Sequence, residues 1–416
     1  MNNSLTKSFS FFEWLGYLEK YYLNIKRSDI KDVVSIAKKL GILHFNTFVY
    51  VVGGTNGKGT TCFVLEKILL ELGYRVGLYT SPHMFRYTER IRINGCELEH
   101  DLHVSSFIEI KNACSSLSLT YYDFITLSAL YLFKYSKLDV IILEVGLGGR
   151  LDATNIINSD VSIITNIAID HSNVLGTTRN VIGIEKSGIF RKNKIAIISE
   201  RHIPNIVKCI IRKNKVYSKL INKDWFYKKY NTFWAFISRN SFFLDLPLPK
   251  VSLINTATAL AAVTESISHI KKHVIKSCID KVSLFGRFQI LSYNPQVVLD
   301  VAHNFHATQF LSKKMIRIKG TGKIYAIIGV LKEKNVLSLV TPLLPIVDFW
   351  YCVRLNTHRS ISAEKIIRYL PIHASRVCSS IKCAWKEVQN VVKAIDTILV
   401  FGSFFTVYEM CKVLKI

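Results

Sequence analysis

The sequence predicts an α/β protein of two domains, and three observations carry that prediction. Short β-branched runs alternate with stretches of helical period. A glycine-rich turn, Gly53-Gly54-Thr55-Asn56-Gly57-Lys58-Gly59, joins the first of these runs to a helix. Beyond residue 295 the alternation starts afresh after a break in pattern. At roughly 150 residues per domain, 416 residues suffice for two or three domains.

Taken in order, Phe11, Phe12, Trp14, Leu15 and Leu18, then Val33, Val34, Ile36, Ala37 and Leu40, recur at helical spacing and end at Gly41. Residues 48–52 form a β-branched and aromatic run that breaks into the glycine-rich turn. After the turn, Val64, Leu65, Ile68, Leu69 and Leu72 recur as a helix until Gly73 stops it. Residues 76–79, 140–144, 161–166 and 195–198 read as buried strands, with a helix over 125–135 between them. This alternation predicts a mostly parallel sheet with helices on both faces. Residues 204–250 are polar, aromatic and irregular and read as a strand-rich excursion. An Ala-rich helix follows over 253–268, and residues 286–295 read as a hinge. The second unit then shows strands at 297–301, 324–330, 349–353 and 397–401, with helices at 308–316 and 363–369. The predicted division is a domain over 1–285, the hinge 286–295, and a smaller domain over 296–416.

Composition narrows the class. With 49% hydrophobic and 20% charged residues the chain builds substantial cores. Mean hydropathy is +0.23, but the longest apolar stretches, 324–331 and 398–405, fall well short of the ~18 residues a spanning helix needs. The N-terminal stretch carries Glu13, Glu19 and Lys20 within its first apolar run, unlike a secretory or transit signal. Nine cysteines without a C-x-x-C pair argue against a disulfide framework or a thiolate zinc site. A cytoplasmic protein with no membrane association is expected. There are 55 Lys and Arg against 30 Asp and Glu, a net charge of +25. That charge suggests a polyanionic partner or a general drift of composition. It forms no single dense block, and its richest stretch, 208–229, reads as amphipathic surface, so no nucleic-acid partner is expected.

The chemistry concentrates at strand ends. In the turn after the first strand, glycines let backbone N–H groups face phosphates, the helix N-terminus adds partial positive charge, and Lys58 can reach the terminal phosphates. The G-x-x-x-x-G-K-[ST] consensus is not fully met, because Gly59 follows the lysine and Thr60 and Thr61 come late. Alone, this turn leaves a kinase, an NTPase and a ligase open. Glu144 closes another buried strand, where open α/β sheets bind ligands. A hard cation such as Mg²⁺ takes few carboxylates plus oxygen from water and phosphate. Ser81, in Thr80-Ser81-Pro82-His83, and His171, in Ile169-Asp170-His171, follow other strands and complete a candidate metal set. The loop Gly146-Leu147-Gly148-Gly149-Arg150-Leu151-Asp152 can pass close to a ligand while presenting charge.

These segments resemble the bifunctional dihydrofolate synthase/folylpolyglutamate synthase family, within the Mur-type ATP-dependent amide ligases. The resembling stretches are 51–61, 79–94, 119–130, 143–155, 166–171, 185–191, 286–289, 300–304 and 401–407, in the family's order over nearly the whole chain. The resemblance implies a P-loop Mur-ligase-type ATPase domain followed by a smaller Rossmann-like α/β domain. By the same resemblance, Thr55, Asn56, Gly57 and Lys58 hold ATP phosphates, and Ser81, Glu144 and His171 hold Mg²⁺. Lys186 matches a lysine that the family carbamylates. Asn255, Arg287 and Asp300 match ATP contacts, and His303 with Asn304 lies near the incoming glutamate. Thr120, Tyr121, Tyr122 and Asp123, with Leu151, Asp152 and Ala153, match pterin-binding stretches. The family's further pterin contact has no recognisable counterpart at 25–28. Asp123 stands where Glu is usual, Phe305 replaces a usual proline, Asn335 a common Asp, and Phe405 a common His or Tyr.

The implied reaction joins L-glutamate to dihydropteroate and to tetrahydrofolate mono- and polyglutamates through an acyl phosphate, in a monomer. A carboxylate has no usable leaving group until it is phosphorylated. Lys58, Mg²⁺ and Arg287 would steady the transferred group, with Asp300 completing the site when the two domains close. Four alternatives stand beside this, one of them a nucleic-acid-binding protein resting on the net charge of +25, which steeply salt-dependent DNA or RNA binding would support. A folylpolyglutamate synthase alone would use only the tetrahydrofolates. A Mur-type ligase for nucleotide-sugar peptides would carry a further domain before the phosphate loop. A P-loop kinase would release ADP without regard to glutamate.

Overall fold

Residues 8–22, 29–114 and 117–416 are described by the computed structural model. The chain divides into two units, Met1–Val282 and Ser283–Ile416. In the first unit the strands are β1 (Phe48–Gly53), β2 (Val76–Tyr79), β3 (Ile91–Ile93), β4 (Cys96–Glu97), β5 (Val140–Glu144), β6 (Val161–Ile164), β7 (Ile195–Ile198) and β8 (Tyr217–Leu220). They form one sheet in the order β4-β3-β2-β5-β1-β6-β7-β8. All neighbours are parallel except β2 with β3 and β3 with β4. Tyr50, Val51, Val52, Ile141, Ile142 and Leu143 are buried on both faces of the sheet, as a parallel sheet covered by helices requires.

β1 lies between β5 and β6, so the chain leaves it toward one side of the sheet and returns later on the other. Such a reversal opens a crevice beyond the strands' carboxyl ends. The phosphate-loop helix, Lys58–Glu71, starts there and packs against the Ala-rich helix Leu253–Ser266. On one face of the sheet, helices Phe11–Tyr22, Ile30–Lys39, His100–Cys114 and Tyr121–Lys134 meet in an aromatic core built on Phe11, Trp14, Phe107 and Phe124.

Several boundaries differ from the sequence expectation for local reasons. The helix expected over 125–135 begins at Tyr121, because Thr120 and Asp123 form a reciprocal capping box. The excursion 204–250 opens with a helix, Asn205–Lys213, and its first strand, β8, joins the main sheet. Only β9 (Trp225–Lys229), β10 (Phe233–Ser238) and β11 (Phe242–Pro247) form the separate antiparallel sheet.

The second unit holds β12 (Gln289–Tyr293), β13 (Gln296–Leu299), β14 (Ile324–Ile328), β15 (Phe349–Val353), β16 (Ser375–Cys378) and β17 (Thr397–Phe401), ordered β12-β13-β17-β14-β15-β16. Only β12 runs antiparallel to its neighbour. Half of the stretch expected as a hinge, 286–295, is therefore strand. β14 stops at Ile328, two residues short of the expected 324–330, and is followed by a tightly enclosed glycine: a Cβ on Gly329 would lie 2.5 Å from the Leu355 side chain. The helix expected over 308–316 starts at Phe305, since the Asn304 side chain accepts from Ala307 N at 3.0 Å and caps it.

One half-buried guanidinium ties two segments together ahead of β6 and β7, residues 155–158 and 188–190. Arg191 donates to Asn155 O at 2.8 Å, Ile157 O at 3.0 Å and Ile189 O at 3.1 Å. It also donates to the side-chain oxygens of Asn155 and Asn158, both at 2.9 Å. Removing it leaves several desolvated carbonyls without donors. Arg191→Met is expected to lose about 2–3 kcal/mol of stability in denaturant unfolding; a change within the noise of such melts contradicts this role.

Candidate active site

The loop after β1 is fixed from several sides. Thr55 N donates to Asn166 O and Asn56 N to the Asn166 side-chain oxygen, both at 3.0 Å. Asn166 Nδ2 and Thr165 Oγ1 both donate to Asn56 O at 2.8 Å. Thr55 Oγ1 donates to Ala168 O at 3.1 Å and accepts from Ala168 N at 3.0 Å. The Thr55 hydroxyl thus holds the loop to the segment after β6. Gly57, at φ +87, is the helix N-cap, and a Cβ there would lie 2.5 Å from the Asn255 amide. Only glycine meets both demands. Lys58 Nζ donates to Gly54 O at 3.2 Å and Thr55 O at 3.3 Å, so the ammonium lies across the loop at the start of its helix.

Glu144 stands at the rim of this loop. Its carboxylate accepts from Ser81 N at 2.9 Å, and a Cβ on Gly59 would approach its Oε2 to 3.3 Å. The structure therefore brings the phosphate loop, Ser81, Glu144 and Asn255 together. His171 sits beyond β6 at φ 49, with 42% of its side chain exposed and Nε2 3.9 Å from Asp170. A glycine cradle, an adjacent ammonium and a strand-end carboxylate beside a hydroxyl suit a nucleotide's phosphates with a hard cation.

Lys186 is 97% buried, in helix Arg179–Ser187. Burial, helped by the nearby Lys58 charge, pulls its ammonium down to about 7. The loop 146–152 is seated on the same helix. Arg150 N donates to Glu185 O at 2.8 Å, its guanidinium pairs with the Glu185 carboxylate at 2.7 Å, and a Cβ on Gly149 would strike Glu185 O.

The stretches expected around the pterin are ordered by their own hydrogen bonds. Asp123 accepts from Thr120 N at 2.9 Å, which uses its carboxylate to cap the helix. Tyr122 OH donates to Glu144 O at 3.2 Å, and its ring lies so close to Gly146 that a Cβ there would collide. Asp152 is buried and accepts from Leu147 N at 2.9 Å and from Thr154 N at 3.0 Å. Burial raises its carboxyl above the ordinary value. Ala153 is buried, whereas Leu151 is 44% exposed. Residues 25–28 lie outside the described residues. Sequence reasoning did not single out Asn166 and Thr165 as the residues that fix the loop, nor Arg90, whose Nε donates to His83 Nδ1 at 2.8 Å. The signal for Asn166 was its place as a polar residue just past a β-branched run.

In the second unit Asp300 follows β13 and accepts from Phe288 N and Ala302 N, both at 2.8 Å. Burial raises its carboxyl, against the opposing effect of the Arg287 charge. The Arg287 guanidinium lies over the Phe404 ring at 5.1 Å. His303 Nδ1 is 2.9 Å from Val301 O.

Comparison with known proteins follows the same division. A model of the Mur ligase middle domain matches residues 52–291, and one of the Mur ligase glutamate ligase domain matches 286–404. The dihydrofolate synthase/folylpolyglutamate synthase of Buchnera aphidicola subsp. Baizongia pistaciae is 53% identical over 415 residues, covering 100% of this chain and 97% of that protein. The chain belongs to this family. Among solved structures, E. coli FolC in complex with DHPP and ADP superposes at a TM-score of 0.95, with 42% identity and 98% of each chain covered. The bifunctional synthase from Yersinia pestis complexed with AMPPNP and Mn ion superposes at 0.93, with 40% identity and 99% of each chain covered. The Mur-ligase α/β architecture of two domains is thus the fold of this synthase family member. Among its described residues no helix is long and apolar enough to cross a membrane.

In this family member the Lys186 amine sets a pH-dependent cost. Its folded pKa lies below that of an unfolded lysine, about 10.4, so the unfolded chain takes up its proton first. The cost therefore grows as pH falls from about 10 toward 7 and is complete below 7. Lys186→Met removes it. In CO₂-free buffer, where the amine is unmodified, the variant's stability relative to the native chain is expected to rise by a few kcal/mol as pH falls across that window; a difference independent of pH there contradicts the assignment.

Proposed function

We propose that the chain ligates L-glutamate to dihydropteroate, giving dihydrofolate, and to tetrahydrofolate mono- and polyglutamates, using ATP and Mg²⁺. The observation that carries this reading is the pinned glycine loop with Lys58 across it and Glu144 at its rim, in a chain that matches the bifunctional synthases along its whole length.

In this reading Thr55, Asn56, Gly57 and Lys58 hold the phosphates of ATP, and Asn255 lines the loop. Ser81, Glu144 and His171 would hold Mg²⁺, and that ion, when bound, would supply neutralising charge for the phosphoryl group. Arg287 and Asp300 are ATP contacts from the second unit, and His303 lies near the incoming glutamate. Thr120, Tyr121, Tyr122 and Asp123, with Leu151, Asp152 and Ala153, receive the pterin. Their internal hydrogen bonds support this, because a preformed surface loses little freedom when it binds a flat ring. Lys186 is the carbamylated lysine. Burial that lowers the ammonium to about 7 raises the share of neutral amine, the form that adds CO₂ with loss of a proton and gain of an anionic oxygen pair.

The reaction has two steps. An oxygen of the pteroyl or glutamyl carboxylate attacks the γ-phosphorus, forming an acyl phosphate and releasing ADP. The glutamate amine then attacks the acyl carbon, and phosphate departs with that oxygen. Lys58 stabilises the charge on the group in transit, the kind of interaction whose loss in other enzymes costs at least about a hundredfold. The domain over 1–285 binds ATP, Mg²⁺ and pterin, and that over 296–416 is the glutamate-ligase domain, joined through 286–295. The enzyme acts in the cytoplasm as a monomer.

The test is ATP-dependent incorporation of labelled L-glutamate with dihydropteroate and tetrahydrofolate supplied side by side. Both are expected to be extended, and Lys58→Ala is expected to lower both rates at least about a hundredfold while the circular dichroism is unchanged. Extension of tetrahydrofolate alone would leave a folylpolyglutamate synthase; ligation by Lys58→Ala at the native rate would overturn the phosphate-loop role.

A further inference from the structure

At the far edge of the second unit's sheet lie three donor groups that the ligase reaction does not use. Cys378 ends β16, and Cys383 and Glu387 lie one turn apart on helix Ile381–Gln389. Their Sγ and carboxylate oxygen atoms all fall within 4.8 Å of one another. We propose that Cys378, Cys383 and Glu387 form a binding site for a thiophilic divalent cation such as Zn²⁺, separate from the Mg²⁺ site of the ligase reaction.

The local structure converges on this arrangement. In β16, Arg376 and Cys378 point to the same face, as alternate strand residues must. They pair with Tyr351 and Val353 of β15, whereas Cys352 points to the other face and into the hydrophobic core. Cys383 and Glu387, at i and i+4, share one helix face. Ser380 caps that helix and accepts from Cys383 N at 3.1 Å, which fixes the backbone of the first turn. Cys383 Sγ lies 3.6 Å from Glu387 Oε1. That is close to the ~3.5 Å edge expected between a sulfur and an oxygen ligand on a tetrahedral Zn²⁺, given bonds of about 2.3 and 2.0 Å. The other carboxylate oxygen, Oε2, is held by Arg376 at 3.2 Å. Arg376 thus pairs with one carboxylate oxygen while Oε1 lies beside the Cys383 sulfur, and a charged partner of that kind steadies a ligating carboxylate.

Charge also balances. Two thiolates and a carboxylate bring three negative charges, which the divalent cation and Arg376 together neutralise. Burial and the Glu387 charge push the Cys378 thiol up to about 12. Binding at neutral pH must therefore release the thiol protons. The three groups leave a fourth position for water. The consequence is a clamp between edge strand β16 and the helix that follows it.

Co²⁺ is the probe, because a thiolate ligand gives it a near-ultraviolet charge-transfer band that the oxygen and imidazole donors Ser81, Glu144 and His171 cannot produce. The full-length protein, reduced and freed of metal, is titrated with Co²⁺ in excess Mg²⁺. The expected result is one saturating band, abolished by equimolar Zn²⁺, absent in Cys383→Ser and unaffected in Cys209→Ser. Arg376→Gln is expected to weaken the binding by about tenfold or more. Because a substituted chain can fail for lack of folding, alkylation of the native protein is read in parallel. Zn²⁺ should protect Cys378 and Cys383, but not the exposed Cys96 and Cys209, from a thiol reagent mapped by mass spectrometry. No charge-transfer band, a band that persists in Cys383→Ser, or alkylation of Cys383 at the same rate with and without Zn²⁺ each overturns the site.

Discussion

The structure of the first unit depends on the tie between the loop after β1 and the segment after β6. Four residues, Thr55, Asn56, Thr165 and Asn166, exchange backbone and side-chain hydrogen bonds across the crevice where the sheet reverses direction. This tie points the loop's glycines and its helix N-terminus at one spot and holds them there through the protein's own hydrogen bonds. Pre-ordering of that kind removes an entropic cost from binding and leaves the donors in place as charge develops. The neighbouring parts fit around it. Asn255 leaves no room for a side chain at Gly57, Glu144 stands against Gly59, and Lys186 feels the charge of Lys58.

Much of this was legible because the constraints are local and strong. A β-branched run ending in Gly53-Gly54 and a helix opening at Lys58 leave little freedom for what lies between. Glu144 could be placed because a carboxylate at the exit of a fully apolar strand has few other places to be. The core strands of both units were visible for the same reason: their runs are short, apolar and bounded by turn residues.

What was not legible depends on contacts distant in sequence. β12 lies within a polar stretch, and only its antiparallel pairing with β13 makes it a strand. β16, Ser-Arg-Val-Cys, is an edge strand with little apolar signal. The capping use of Asp123 is readable from Thr120 three residues before it, the spacing of a capping box. Asn166 and Arg191 act through hydrogen bonds to loops far along the chain, a relation that no local pattern records. The cysteine spacing, lacking C-x-x-C, gave no hint that Cys378 and Cys383 would meet across a strand end and a helix.

Phosphorylation of a carboxylate before the amine attacks is the step that a site built around Lys58 and Glu144 would serve. The most direct measurement follows a heavy-oxygen label placed in the carboxylate of dihydropteroate through a single turnover with ATP and L-glutamate. One labelled oxygen is expected in the inorganic phosphate released with each new amide bond. Amide formation with unlabelled phosphate would contradict it.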